Sequence, residues 1–188
     1  MPQSAATAQP SIPSIAARHT AFRVGSGAIL LSEYNRSLMS DQFVLRLAQL
    51  SDFAFCQRLY FEGMGSIIET LKLDMARQRE SFGQQWRLAE VRIIAVAGND
   101  VGWMQTTPAN DAIFLGQLYL DGRFQRQGIG SRVMHVLIED AIHAKKAMTL
   151  AVAKINPAGR LYDRLGFRVT HEDQHKVYMR REPDQMPT

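Results

Sequence analysis

The sequence predicts an α+β fold, a mixed α/β domain in which helices flank one sheet. Three patterns lead there. Val91–Ala97 and Val101–Thr107 are apolar strand runs around Gly98-Asn99-Asp100, the signature of an antiparallel hairpin with a short loop. Ala112–Leu120 and Ala147–Ala153 are two further strand runs joined by a helical pattern, and a helical crossover makes such strands parallel. Phe167–Thr170 and Lys176–Arg180 close the chain as a last strand pair.

Along the chain, Phe43–Leu47 reads as the first strand. Ser51 and Asp52 supply cap chemistry for a helix running to about Glu62. Gly63 and Gly65 interrupt it, and Ser66 with Glu69 has capping-box spacing for a second helix towards Arg79. From Ile129, the apolar positions Val133, Leu137 and Ala141 recur at intervals of four, with Met134, Ile138 and Ile142 beside them. That stripe is the buried face of the crossover helix. Asn156-Pro157 is a cap followed by a proline suited to the first helical position, and Gly166 stops the short helix that follows.

With 188 residues the chain has length for one sizeable core. A net charge of +4 suits an anionic ligand as well as nucleic acid, but no alternation of basic and aromatic residues indicates nucleic-acid binding. Cys56 is the one cysteine, so neither an internal disulfide nor a cysteine-based zinc cage can form, and a cytoplasmic location is expected. No apolar run reaches the ~20 residues that span a bilayer, so no membrane partner is expected. His171 and His175 straddle an expected turn, and no metal site is expected from them.

Residues 1–40 hold Pro2, Pro10, Pro13 and a single acid, Glu33. They read as a flexible or loosely docked extension, with a targeting peptide as the alternative and Met39 as an alternative start. The domain proper is expected over 41–182, with a tail at 183–188.

The stretch Gln125-Arg126-Gln127-Gly128-Ile129-Gly130 follows a strand and opens a helix. Glycines let backbone amides approach a ligand, and a helix start adds unpaired donors and a positive dipole end. Together these make a pyrophosphate cradle. The Rossmann fingerprint fails, because Val133 stands where its third glycine belongs. A P-loop fails for want of a following Gly-Lys-Ser/Thr.

The run Leu118–Gly130 resembles motif A of the GNAT N-acyltransferases, Gln/Arg-x-x-Gly-x-Gly/Ala. Leu150–Ala158 and Leu161-Tyr-Asp-Arg-Leu-Gly-Phe167 resemble that family's motif B, with its Asn-x-x-Ala and Leu-Tyr-x-x-x-Gly-Phe elements. The resemblance extends from about Phe43 to Arg181. It implies a mixed, mostly antiparallel sheet splayed between the fourth and fifth strands, and an enzyme that moves acetyl from acetyl-CoA to a primary amine in a ternary complex. The implied cofactor-binding residues are Leu118, Tyr119, Leu120, Gln125, Arg126, Gln127, Gly128, Ile129, Gly130, Ser131 and Asn156. Amides of the turn would hold the pyrophosphate, strand backbone at Leu118 and Leu120 the pantetheine and thioester carbonyl, and Asn156 the pantetheine arm. Tyr162 would be the general acid for the leaving thiolate. Arg123 and Arg126 flank the phosphates, as CoA partners or as solvated surface.

Many GNAT relatives carry an acid on the strand before motif A. Here Gln117 and Tyr119 occupy that region, and neither takes a proton readily near neutral pH. A water chain ending on a carboxylate such as Glu62, or an amine arriving neutral, would meet the need. Tyr60, Glu62, Trp103 and Gln105 are the acceptor-side candidates, and a carboxylate there would suit a polyamine, amino sugar or peptide N-terminus. The expected acceptor is a small-molecule amine. Protein or peptide acetylation, and a non-catalytic acyl-CoA-binding module, are the alternatives, and a homodimer is compatible with the family.

Overall fold

The computed structural model describes residues 43–183, so the expected N-terminal extension and all but the first residue of the tail lie outside the described residues. Seven strands form one sheet: β1 (Phe43–Leu47), β2 (Val91–Val96), β3 (Asn99–Pro108), β4 (Ala112–Leu120), β5 (Ala147–Ala153), β6 (Arg168–Glu172) and β7 (Lys176–Arg181). Their order is β1-β2-β3-β4-β5-β7-β6. Every neighbouring pair is antiparallel except β4 with β5, the pair joined by the crossover helix.

Helices α1 (Phe53–Thr70) and α2 (Met75–Gln85) cover one face of the sheet, and α3 (Ile129–His143) with α4 (Gly159–Arg164) cover the other. Strand alternation sorts the side chains between these layers. Ile94 and Met104 join Val133, Met134, Leu137 and Phe167 in the larger core. Ile93 and Trp103 point the other way, to Cys56, Leu59, Tyr60 and Phe82. Arg46 ties the first strand to the start of α1 and to β3: its guanidinium donates to Asp52 at 2.8 and 2.9 Å and to Asp100 at 2.6 and 3.1 Å.

Three boundaries differ from the sequence reading. Helix α1 runs unbroken through Gly63 and Gly65, and Ser66 caps nothing. The helix stops later, where Lys72 takes φ +51°, Leu73 donates to the Ile68 carbonyl and Lys72 to that of Glu69. That is a Schellman closure with lysine in the left-handed position glycine usually fills. Asp74 then caps α2 by accepting from the Arg77 amide at 2.7 Å. The β2–β3 hairpin is tighter than expected, with Ala97 (φ +49°) and Gly98 (φ +77°) forming its two-residue turn. Finally, α4 begins at Gly159, because residues 156–160 wind through bonds of three-residue spacing first.

Gly63 has a specific neighbour. A β-carbon there would stand 2.7 and 2.9 Å from two atoms of the Tyr119 ring, whereas one at Gly65 meets nothing within 4 Å. Tyr119 cannot swing aside easily, being stacked on Trp103 at 5.5 Å and packed against Tyr60. Helix propensity alone favours alanine over glycine by up to about 1 kcal/mol. Gly65→Ala should therefore raise the melting temperature while Gly63→Ala lowers it, as differential scanning calorimetry on the two variants would show. Equal gains from both would refute the close approach of Tyr119.

Candidate active site

Strand β4 carries one residue more than β3 can match. Gln105 pairs with Gln117 and Thr106 with Leu115, leaving Gly116 unpartnered in a β-bulge. The pairing of β4 with β5 also ends there, its last register partners being Leu115 and Leu150. Beyond that point residues 116–120 and 151–153 diverge, and the sheet opens into the expected splay. The bulge resets the side-chain alternation as well. Ile113 and Leu115 pack with the α3 core, and the next residues to do so are Leu118 and Leu120, a step of three in place of two. Tyr119 thereby faces α1.

The opening is the mouth of a cleft of about 420 Å³. Its strand wall comprises Leu115–Tyr119 and Leu150–Ala153, its helical wall residues of α1 and α2, and its far end Asn156, Tyr162, His175 and Lys176. Asn156 is held in place by its own role in the turn, accepting from the Ala158 amide at 2.9 Å. Tyr162 sits between the α3 core and the cleft, buried edge-on to Phe167 with ring centroids 5.8 Å apart. Burial pushes its phenol up to about 12. The Tyr119 phenol is driven higher still, mainly by burial and further by the neighbouring Tyr60 and Tyr162 hydroxyls. Both tyrosines are thus proton donors at neutral pH, and neither is a base.

Past Leu120 the chain makes the glycine turn. Asp121 accepts from the Arg123 amide at 3.0 Å and from the Arg123 guanidinium at 2.9 and 3.0 Å, while its own amide donates to the Val101 carbonyl. Arg123 holds the Asp121 carboxyl down to about 2. Gln125 donates to the Leu120 carbonyl and Gln127 to that of Arg123, so two side chains brace the turn from within. Arg126 at φ +61° and Gly128 at φ +79° then bring the chain into α3. The first ladder bond of that helix runs from Arg132 to the Gly128 carbonyl. Among the described residues, the amides from Arg126 to Ser131 donate to no carbonyl or side chain. Six free donors around a helix N-terminus fit phosphate oxygens.

The residues singled out from sequence therefore fall in two adjoining places. Leu118, Tyr119, Asn156 and Tyr162 line the cleft. Leu120, Gln125, Arg126, Gln127, Gly128, Ile129, Gly130 and Ser131 lie outside its lining, at the end of β4 and the start of α3. Of the acceptor-side candidates only Tyr60 reaches the cleft. Trp103 is fully buried, and Gln105 is spent on the Gln85 carbonyl and the Glu90 carboxylate. Glu62 is exposed, bonded to Arg58 at 2.8 Å, and lies outside the cleft lining. His171 stacks on Tyr178, 4.2 Å between centroids. Gly116, Gln78, Ser81 and Gln85 were missed. A lone glycine inside a strand pattern signals a bulge, and it was the available clue.

Residues 88–169 match the family model described as an acetyltransferase (GNAT) domain. No curated protein matches the chain at a significant level. Among solved structures, the PaiA N-acetyltransferase of Thermoplasma acidophilum, in complex with coenzyme A, is 16% identical with a TM-score of 0.62. The alignment covers 75% of this chain and 99% of that one. An N-acetyltransferase from Staphylococcus aureus Mu50 gives 12% identity and a TM-score of 0.58, covering 73% and 99%. Ard1 from Thermoplasma volcanium gives 19% and 0.55, covering 74% and 97%. Identities this low establish a shared fold.

Asp121 anchors the turn, and the sign of its acid dependence follows from its depressed carboxyl. The stabilisation is complete above its ordinary value of 3.8 and is lost as pH falls towards about 2. Asp121→Ala should cost about 1 kcal/mol in urea unfolding at pH 7, the worth of a side-chain cap. The gap between variant and wild type should narrow from pH 4 to pH 2. A gap that widens on acidification would contradict this role.

Proposed function

We propose that this chain, which carries a GNAT acetyltransferase domain over residues 88–169, moves the acetyl group of acetyl-CoA to a small primary amine. The observation that carries the reading is the continuity of the splay with the glycine turn. The unpaired edge of β4 leads into six free amides at the start of α3, and the Tyr162 phenol of α4 lines the cleft between the parted strands. A pyrophosphate would sit on the amides of Arg126–Ser131, and the pantetheine arm would lie between β4 and β5 beside Leu118, Leu120 and Asn156. That arm carries amide groups, so it can occupy the hydrogen-bonding positions the two strands forgo.

Tyr162 faces the place where the thioester would end. The amine nitrogen forms its bond to the acetyl carbon, the carbon–sulfur bond breaks, and Tyr162 gives its proton to the departing sulfur. Strand backbone near the bulge supplies donors to the developing oxyanion. No carboxylate lines the cleft among the described residues, so the amine enters neutral, and the proton its nitrogen sheds on forming the amide passes to water and so restores the Tyr162 phenol. A volume of about 420 Å³ shared between the acyl end and the acceptor suits a small molecule better than a protein segment.

Thiol release from acetyl-CoA, measured against a panel of amines and peptides, tests the activity. Tyr162→Phe should lower kcat by about 100-fold or more, the usual worth of a positioned acid. Burial lifts this phenol to about 12, so it still holds its proton at pH 10. With saturating amine the rate should climb as the ammonium deprotonates and then hold level through pH 10. A falling limb centred near pH 10, or full turnover in the variant with chemistry rate-limiting, would remove Tyr162 from the acid role. Binding of acetyl-CoA without thiol release by any acceptor would mark a binding module instead.

A further inference from the structure

The acceptor half of the cleft has a chemistry of its own, and an inference from it rests on the acetyltransferase reading above. Met64 and Ile67 of α1, with Leu71 and Leu73 of the following turn, make one apolar wall. From the same helical layer, α2 presents Gln78, Ser81 and Gln85, spaced three and four residues apart on a single helix face. These polar groups are neutral and already oriented: Tyr60 donates to the Gln78 side chain at 3.4 Å, and Gln85 donates to the Ser81 hydroxyl at 2.8 Å. Among the described residues, the sole charged side chain in the lining is Lys176, at the start of β7, next to His175.

Lys176 makes no salt bridge among the described residues, and its ammonium is near enough to the Asp173 carboxylate to help hold that group below its usual range. The nearby Asp173 spends one carboxylate oxygen on the His175 and Lys176 amides and the other on the Tyr178 hydroxyl. A polyamine or aminoglycoside would bring several positive charges to this lysine with no carboxylate among the lining residues to receive them. Such a mismatch costs binding energy, because like charges are brought together.

We infer that the acceptor is an amine on an apolar body that carries a carboxylate, the simplest case being an apolar amino acid. Its hydrocarbon lies against Met64, Ile67, Leu71 and Leu73, its carboxylate meets Lys176, and its amine points to the splay at Gly116.

The test is a thiol-release assay with L-phenylalanine, L-phenylalaninamide, spermidine and kanamycin as acceptors, run on the full chain and on Lys176→Glu. Wild type should favour L-phenylalanine over spermidine at least tenfold in kcat/KM. The ratio of kcat/KM for the acid over the amide should fall at least tenfold in the variant. Comparing ratios cancels the amide's lower amine basicity and any general loss of activity. A preference for spermidine or kanamycin, or an acid-to-amide ratio unmoved by Lys176→Glu, overturns the assignment while leaving the acetyltransferase reading intact. Turnover of no amine by either protein overturns that reading, and this one with it.

Discussion

Between Leu115 and Gln117, strand β4 holds a residue that β3 cannot pair, and from there it parts company with β5. Much else in the molecule answers to that extra residue. A parallel ladder continued to Leu120 would bury the strand edges against each other and leave no cleft. Breaking it forfeits backbone hydrogen bonds worth roughly 0.5–1.5 kcal/mol each in net terms. The sheet bears this because its other pairings are long, with six register partners between β5 and β7 alone. The bulge also sends Tyr119 towards α1 and Leu118 and Leu120 towards the α3 core, so one displacement redirects three side chains beside the opening.

The α1 side of the cleft is rigid for a related reason. Tyr119 fits only because Gly63 has no side chain, and its ring is clamped by Trp103 and Tyr60. Phe82 of α2 meets Tyr60 and Trp103 in turn, at 5.0 and 5.9 Å between centroids. A chain of tilted and stacked rings therefore runs from the strand to the second helix. Aromatic contacts of this kind add about 0.5–1.5 kcal/mol each beyond area burial. The position of α2, and with it the row Gln78, Ser81 and Gln85, is set by Tyr119 on the very strand that opens the sheet.

The strands, their partners and the crossover were legible in the sequence, because alternation and the i, i+4 stripe are written in residue type. So was the glycine turn, since φ above zero at Gly128 and a helix start leave a glycine signature. Helix ends were harder. Lys72 and Lys145 both take left-handed conformations and close α1 and α3 as Gly166 closes α4, but lysine does not advertise that role. Gly63 misled in the opposite direction, reading as a breaker when its purpose was to admit a ring. The α2 side of the cleft was invisible because nothing local says that Gln78 or Lys176 lines the same opening as Tyr162. Their meeting depends on the packing of α2 and on the insertion of β7 beside β5.

That insertion has a consequence for how the molecule is assembled. Strand β7 lies inside the sheet, between β5 and β6, and contributes Met179 to the main core, yet it is the last element of the described chain. During synthesis β5 is exposed along one edge until residues 176–181 have emerged. By then the glycine turn and α3 are already made. The half of the cleft formed by Ala151, Val152 and Ala153 thus acquires its backing after the glycine turn does. An unpaired edge of that apolar character is a template for association with other chains. A nascent or C-terminally nicked molecule would combine a complete anion cradle with an open sheet edge, so its solubility would depend on whether the final six-residue strand is in place.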